Sequence, residues 1–169
     1  VSEWRDMPNE KHPKNKPFCI RIKSPSSGIC KISDKIQGNL EIDSYEIDDY
    51  IIVRSDGTPT FLLSSAVDDY EMSITHIIRG DDHLTNSFRQ KILFDFLNYK
   101  PTFAHISLIH NERNEKLSKR DNAPSILNFK DQGYLPEAIN NYLLRLGWSY
   151  GDKEFFTIKE AIKLFSISN

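Results

Sequence analysis

Apolar and polar positions alternate from residue 18 onward: Phe18, Ile20 and Ile22 take turns with Cys19, Arg21 and Lys23. A period of two predicts a half-buried strand. Ser24-Pro25-Ser26-Ser27-Gly28 interrupts it before a short apolar run over 29–32, so this part reads as short antiparallel strands. Tyr50, Ile51, Ile52 and Val53 form a continuous run of the buried type, closed by the turn residues Ser55-Asp56-Gly57-Thr58-Pro59. A β-branched run over 75–79 stops at Gly80-Asp81-Asp82-His83, after which Phe88, Ile92, Leu93, Phe96 and Leu97 recur at helical spacing. A further strand pattern follows over 103–109. Strand, acidic loop, helix, strand is the unit that builds a parallel sheet by a right-handed crossover, so an α/β layer is expected.

The remainder is helical in pattern. Leu135, Ala138, Ile139, Tyr142, Leu143 and Leu146 share one helix face, Pro136 suits a first turn and Gly147 suits a C′ stop. Thr157-Ile158-Lys159-Glu160 is a capping signature opening the last segment, whose Ala161, Ile162, Leu164 and Phe165 call for a partner beyond Asn169. The first 16 residues mix Lys, Glu, Asn and Pro without period and are expected to be a loop.

Composition narrows the classes. With 169 residues, 38% hydrophobic and 11% aromatic, the chain is long enough for a core that needs neither disulfides nor a structural metal. A net charge of −2 excludes a global field for polyanions, so any such partner needs a local patch. The basic stretch over 11–35, followed by an acidic one over 41–49, is open to two readings: an anion-facing surface or ordinary solvated strand faces. Cys19 and Cys30 fit no zinc spacing and are too few for a disulfide scaffold, which predicts a reducing compartment. No apolar run suits a membrane span and the start is unlike a signal peptide, so a cytoplasmic protein without a membrane partner is expected.

Two clusters carry candidate chemistry. In Lys116-Leu117-Ser118-Lys119-Arg120, two lysines three apart flank a hydroxyl, a pattern able to grip a phosphate chain but equally common in solvated loops. Ile78-Arg79-Gly80-Asp81-Asp82-His83 lies at the carboxyl end of a strand, where open α/β sheets bind ligands.

These strings, with 49–61, 67–83, Gly133-Tyr134-Leu135-Pro136-Glu137-Ala138 and Leu146-Gly147-Trp148-Ser149, strongly resemble bacterial glutamyl-tRNA synthetase in order and spacing over roughly 18–169. The resemblance implies a class I aminoacyl-tRNA synthetase with a Rossmann-like catalytic domain split by a connective insertion. It divides the chain into the later part of that insertion (1–60), the second half of the catalytic fold with its KMSKS-type loop (61–124), and the start of a helical stem-contact domain (125–169). The family's His-x-Gly-His signature needs two histidines three apart, and none of His12, His76, His83, His105 and His110 has one. The chain is therefore expected to be an internal fragment, inactive alone, without that first half or the anticodon-binding domain.

By position the resemblance makes Lys119, supported by Lys116, the catalytic pair on the leaving phosphates. Arg79 is the receiver of the glutamate side chain, with Phe61 and Ser65 near that substrate. Asp82, Ile109, Lys116 and Lys119 line ATP, and Leu117, Ser118 and Arg120 complete the loop. Phe61 replaces the usual Tyr, and Gln37 stands before Gly38 where Arg is common. The substrates implied are ATP with Mg²⁺, L-glutamate and a tRNA for glutamate, or for glutamine. No zinc is implied in this segment, and the full-length parent is expected to be a monomer. A non-catalytic tRNA-binding module, a glutaminyl-tRNA synthetase and the relative that glutamylates queuosine in tRNA remain alternatives.

Overall fold

In a computed structural model describing residues 2–12, 14–111, 113–117 and 125–167, the β-branched runs become strands and the apolar repeats become helices. The strands are β1 (Ile20–Arg21), β2 (Ile29–Asp34), β3 (Gly38–Asp43), β4 (Ile51–Val53), β5 (His76–Gly80) and β6 (Thr102–Ile106). The helices are α1 (Phe61–Glu71), α2 (Leu84–Phe96), α3 (Ile126–Asp131), α4 (Pro136–Gly147) and α5 (Ile158–Leu164). β1 and β4 form an antiparallel ribbon, and a second sheet runs in the order β3-β2-β6-β5. Within it β5 pairs parallel with β6 from His76–Thr102 to Gly80–Ile106, and α2 makes the crossover. β2 meets β6 in parallel at Asp34–Phe103 and turns back antiparallel into β3. The expected α/β layer is present; β5 and β6 end side by side at Gly80 and Ile106, and the carboxyl end of β2 lies beside Phe103 near the start of β6.

β6 is paired on both edges, and its residues are buried on both faces: Phe103 and His105 point one way, Ala104 the other. The core gathers Ile22, Ile32, Ile77, Phe88, Ile92 and Phe94 around Phe103. Phe94 meets Tyr99 edge-on at 5.1 Å and Phe103 at 6.1 Å. Tyr50 is buried below α2, its hydroxyl donating to the Arg89 carbonyl at 2.8 Å.

Several expectations change in detail. The strand over 103–109 ends at Ile106. α1 has no clear apolar period because Ser64, Ser65, Asp68 and Asp69 interrupt it, yet Ala66 is fully buried on it. Thr60 does not cap α1 with its side chain; its hydroxyl donates to the Ile51 carbonyl at 3.0 Å and ties the helix start to β4. Gly147 is the last residue of α4 rather than a left-handed stop, because the buried Trp148 draws the chain into extended backbone. The Thr157 capping signature is present in full, Thr157 Oγ1 accepting from the Glu160 N–H and Glu160 from the Thr157 N–H. The N-terminal stretch is anchored: Arg5 pairs with Asp49 and donates to the Ser24 carbonyl at 2.5 Å. The basic and acidic stretches answer one another, with Lys31 on Glu41 at 2.6 Å across β2 and β3, and Arg21 donating to the Asp49 carbonyl at 2.7 Å.

Among the described residues, no helix is long and apolar enough to cross a membrane.

Candidate functional site

Arg79 sits one residue before the end of β5, on strand geometry that a flexible loop could not supply. Its guanidinium lies against the Phe103 ring, 6.0 Å from the centroid. Nε donates to His105 Nε2 at 3.2 Å and Nη2 donates to Ser87 Oγ at 2.5 Å. Behind them, His105 Nδ1 is 2.6 Å from Asp34 Oδ2. Asp34, Ser87 and His105 are all buried. Burial works to raise the Asp34 carboxyl, but it is outweighed by donors from the Gln37 N–H, the His105 ring and the Ile36 N–H, which hold it below the usual carboxylate range. Burial lowers the Arg79 pKa, and the charge of Asp69 opposes that; a guanidinium stays cationic regardless. Burial also pushes the Asp69 carboxyl up, with Arg79 pulling it back. Among the described residues Arg79 Nη1 has no hydrogen-bond partner.

The acidic loop follows directly. At Gly80 the space is tight: a Cβ would lie 2.7 Å from Asp82 Oδ1 and 2.8 Å from Leu108 Cδ2, so a side chain there would displace both. Asp82 forms an ion pair with Lys116, and that hydrogen bond holds its carboxyl below the ordinary range. Lys116 reaches Asp82 because 113–117 runs back antiparallel to 109–111. His110 bridges Lys116, the Leu117 N–H donates to the Ile109 carbonyl at 2.9 Å, and Asn111 Oδ1 accepts from Arg113 and Glu115 N–H at the tip. Asp82, Ile109, Lys116 and Leu117 are thus brought together on the exposed side of the β5 and β6 ends. Ser118, Lys119 and Arg120 lie outside the described residues.

Phe61, at the first position of α1, is exposed and faces His83, ring centroids 6.0 Å apart. Ser65, one turn on, donates to the Phe61 carbonyl at 2.7 Å and accepts from Gln90 Nε2 at 2.7 Å. Gln37 turns inward, donating through Nε2 to the His105 carbonyl at 3.1 Å. Sequence reasoning assigned no role to Asp34, Ser87 or His105. The available signal was His105 itself: a titratable ring inside the apolar run Phe103-Ala104-His105-Ile106 requires a buried partner. Which residue supplies it could not be read, because Asp34 is 71 positions away.

The family model described as tRNA synthetases class I (E and Q), catalytic domain, matches residues 1–169. "Glutamate--tRNA ligase 2" of Paramagnetospirillum magneticum is 48% identical over 167 residues, 98% of this chain and 35% of that protein. "Glutamate--tRNA ligase 1" of Acidiphilium cryptum is 50% identical over 165 residues, 97% of this chain and 35% of that protein. Among solved structures, a glutamate tRNA ligase from Elizabethkingia meningosepticum in complex with its amino acid matches with a TM-score of 0.79 at 35% identity, over 90% of this chain and 34% of that one. The glutamate-tRNA synthetase from Elizabethkingia anophelis gives 0.78 at 34% identity, over 90% of this chain and 35% of that one. The chain thus spans about a third of the length of these relatives.

Proposed function

Because this chain belongs to the class I tRNA synthetases (E and Q), catalytic domain family, we propose that it works as the second half of the catalytic domain of a glutamate–tRNA ligase. The single observation that carries the glutamate reading is the Arg79 guanidinium, with Nε and Nη2 engaged and Nη1 without a partner among the described residues. A guanidinium only donates, so it suits a carboxylate at both oxygens, whereas the amide of glutamine would turn an N–H₂ toward it.

In this reading an α-carboxylate oxygen of glutamate bonds to the α-phosphorus of Mg-ATP, and the bond from that phosphorus to the bridging oxygen of pyrophosphate breaks. The acyl group then passes from the adenylate to a hydroxyl of the terminal ribose of the tRNA, releasing AMP. The attacking carboxylate is already an anion, so the protein's task is positioning and charge compensation. Arg79 holds the side-chain carboxylate, with Phe61 and Ser65 beside it. Ile109 lies against adenine and Asp82 supplies a polar contact to ATP. Lys116, exchanging Asp82 for phosphate, and Lys119 take up charge on the departing pyrophosphate. Residues 1–60 act as the end of the connective insertion, 61–124 as the catalytic half and 125–169 as the start of the stem-contact region, although β2 and β3 hydrogen-bond into the same sheet as β5 and β6. The partners are ATP with Mg²⁺, L-glutamate and its tRNA, and the place of action is the cytoplasm.

The test is Arg79→Ala in the full-length ligase carrying this segment. The glutamate KM in ATP–pyrophosphate exchange should rise by about two orders of magnitude, the loss expected when one charge-assisted bidentate pair goes. The ATP KM should hold. A normal glutamate KM would remove Arg79 from substrate recognition.

A further inference from the structure

We propose that Asp34, His105 and Ser87 form a buried positioning relay that aims the Arg79 guanidinium at the side-chain carboxylate of the substrate. The inference rests on the reading of Arg79 given above and deepens it.

The direction of the bonds that reach Arg79 and Asp34 follows from what each group can do. Arg79 Nε can only donate, so His105 Nε2, 3.2 Å away, carries a lone pair. The ring proton is then on Nδ1, and Asp34 Oδ2 accepts it at 2.6 Å. Ser87 Oγ accepts from Arg79 Nη2 at 2.5 Å, and its own proton lies between His105 Nε2 at 2.9 Å and the His83 carbonyl at 3.4 Å. Asp34 is itself held fast: Oδ1 accepts from the Ile36 and Gln37 N–H groups at 2.9 Å each, and the His105 N–H is shared between its two oxygens at 3.2 and 3.1 Å. The set spans β2, β6, β5 and α2, so three strand ends and a helix fix one guanidinium plane.

Nε and Nη2 form the side-on edge of the guanidinium, and the relay occupies it. The end-on edge, Nη1 with the second Nη2 hydrogen, has no partner among the described residues. That edge is a bidentate fork for a carboxylate. Serine, histidine and aspartate succeed one another here as in a hydrolytic triad, but no nucleophile results. Ser87 is fully buried and a lone pair of its hydroxyl oxygen is taken by the cation. Nor is the set explained by stability alone, since well-packed apolar side chains commonly replace a buried ionic group without loss. What apolar residues could not do is orient a cation.

The experiment uses the full-length ligase, with Ser87→Ala and Asp34→Asn alone and combined with Arg79→Ala, in ATP–pyrophosphate exchange. Ser87→Ala should raise the glutamate KM about tenfold, the worth of one hydrogen bond to a charged group, with kcat and the ATP KM little changed. Asp34→Asn should act the same way and more strongly, because an amide can donate to His105 Nδ1 and move the ring proton onto Nε2, facing the Arg79 donor. On the Arg79→Ala background Ser87→Ala should add nothing. A normal glutamate KM in Arg79→Ala would overturn the reading of Arg79 itself. A raised KM in Arg79→Ala with a normal one in Ser87→Ala would overturn only the relay. So would a Ser87→Ala effect that persists without Arg79, or that falls equally on kcat and the ATP KM, as a merely structural role predicts. If Asp34→Asn does not fold, Ser87→Ala with its double variant decides.

Discussion

The sheet and the C-terminal helices use amphipathic sequence in opposite ways. α4 has a clearer apolar stripe than α1 or α2, yet it buries no residue, and Tyr142 and Leu143 on that stripe are 62% and 47% exposed. α2 has a blurred stripe and buries Ser87, Phe88, Gln90, Ile92, Leu93 and Phe94. A helix packed on several sides needs apolar or hydrogen-bonded residues around much of its surface, which erases the single stripe, whereas a single stripe marks one intended contact. The strength of the pattern therefore reports the geometry of burial, not its presence. α4 is held from its other side by polar bonds: Asn141 donates to the Glu154 carbonyl at 3.0 Å and accepts from the Phe156 N–H at 2.8 Å, while Arg145 donates to the Lys153 carbonyl at 3.0 Å. Its small core is Trp148 with Phe156 at 5.3 Å and Phe165 at 5.9 Å.

The contrast breaks most easily at Phe94, which is 1% exposed at the junction of α2 and the sheet. Phe94→Ala should cost about 3–5 kcal/mol in urea unfolding of the chain. A loss under about 1 kcal/mol would mean that the sheet side is no better packed than the helical side.

Next in size is the buried carboxylate. Asp34→Asn leaves donors from Ile36, Gln37 and His105 short of acceptor capacity, a loss of about 1–3 kcal/mol at pH 7. Its folded pKa is depressed, so the ionised form binds no proton that the unfolded chain would take up near pH 3.8, the ordinary value. The stabilisation is complete above that pH and is lost as pH falls through the lower folded value. Acid titration of unfolding should show a steeper low-pH limb for the wild type than for Asp34→Asn; coincident limbs would refute this.

On the helical side, Thr157→Ala removes half of a capping box and should cost about 1 kcal/mol, read as faster amide exchange in α5 with the β6 amides unchanged. Faster exchange in both would tie the two regions into one cooperative unit.

The smallest effect sharpens the comparison furthest. Ile162, 75% exposed, can be changed to Ser with a shift within about 0.5 kcal/mol, in contrast to a buried apolar residue of the sheet such as Ile32 or Phe103. A loss beyond about 1 kcal/mol would reveal cover on this face that the described residues do not provide.

Local physical chemistry was enough to read the strands around Ile20, Ile29, Ile51, Ile77 and Phe103, the crossover helix, the Pro136 start and the Thr157 box. β-branched runs, turn residues and caps act within a few positions of themselves. The string Ile78-Arg79-Gly80-Asp81-Asp82-His83 was likewise legible as a strand end with chemistry. What the order of residues could not disclose was everything that depends on separation. That the basic stretch would be answered by the acidic one, that Gln37 would turn onto His105, and that Lys116 would close on Asp82 each required distant segments to meet. Asp34 has the same explanation. Only the placing of β2 beside β6 brings its carboxylate under His105, and through it to Arg79, because a hydrogen bond forms over 2.6 Å of space whatever length of chain lies between.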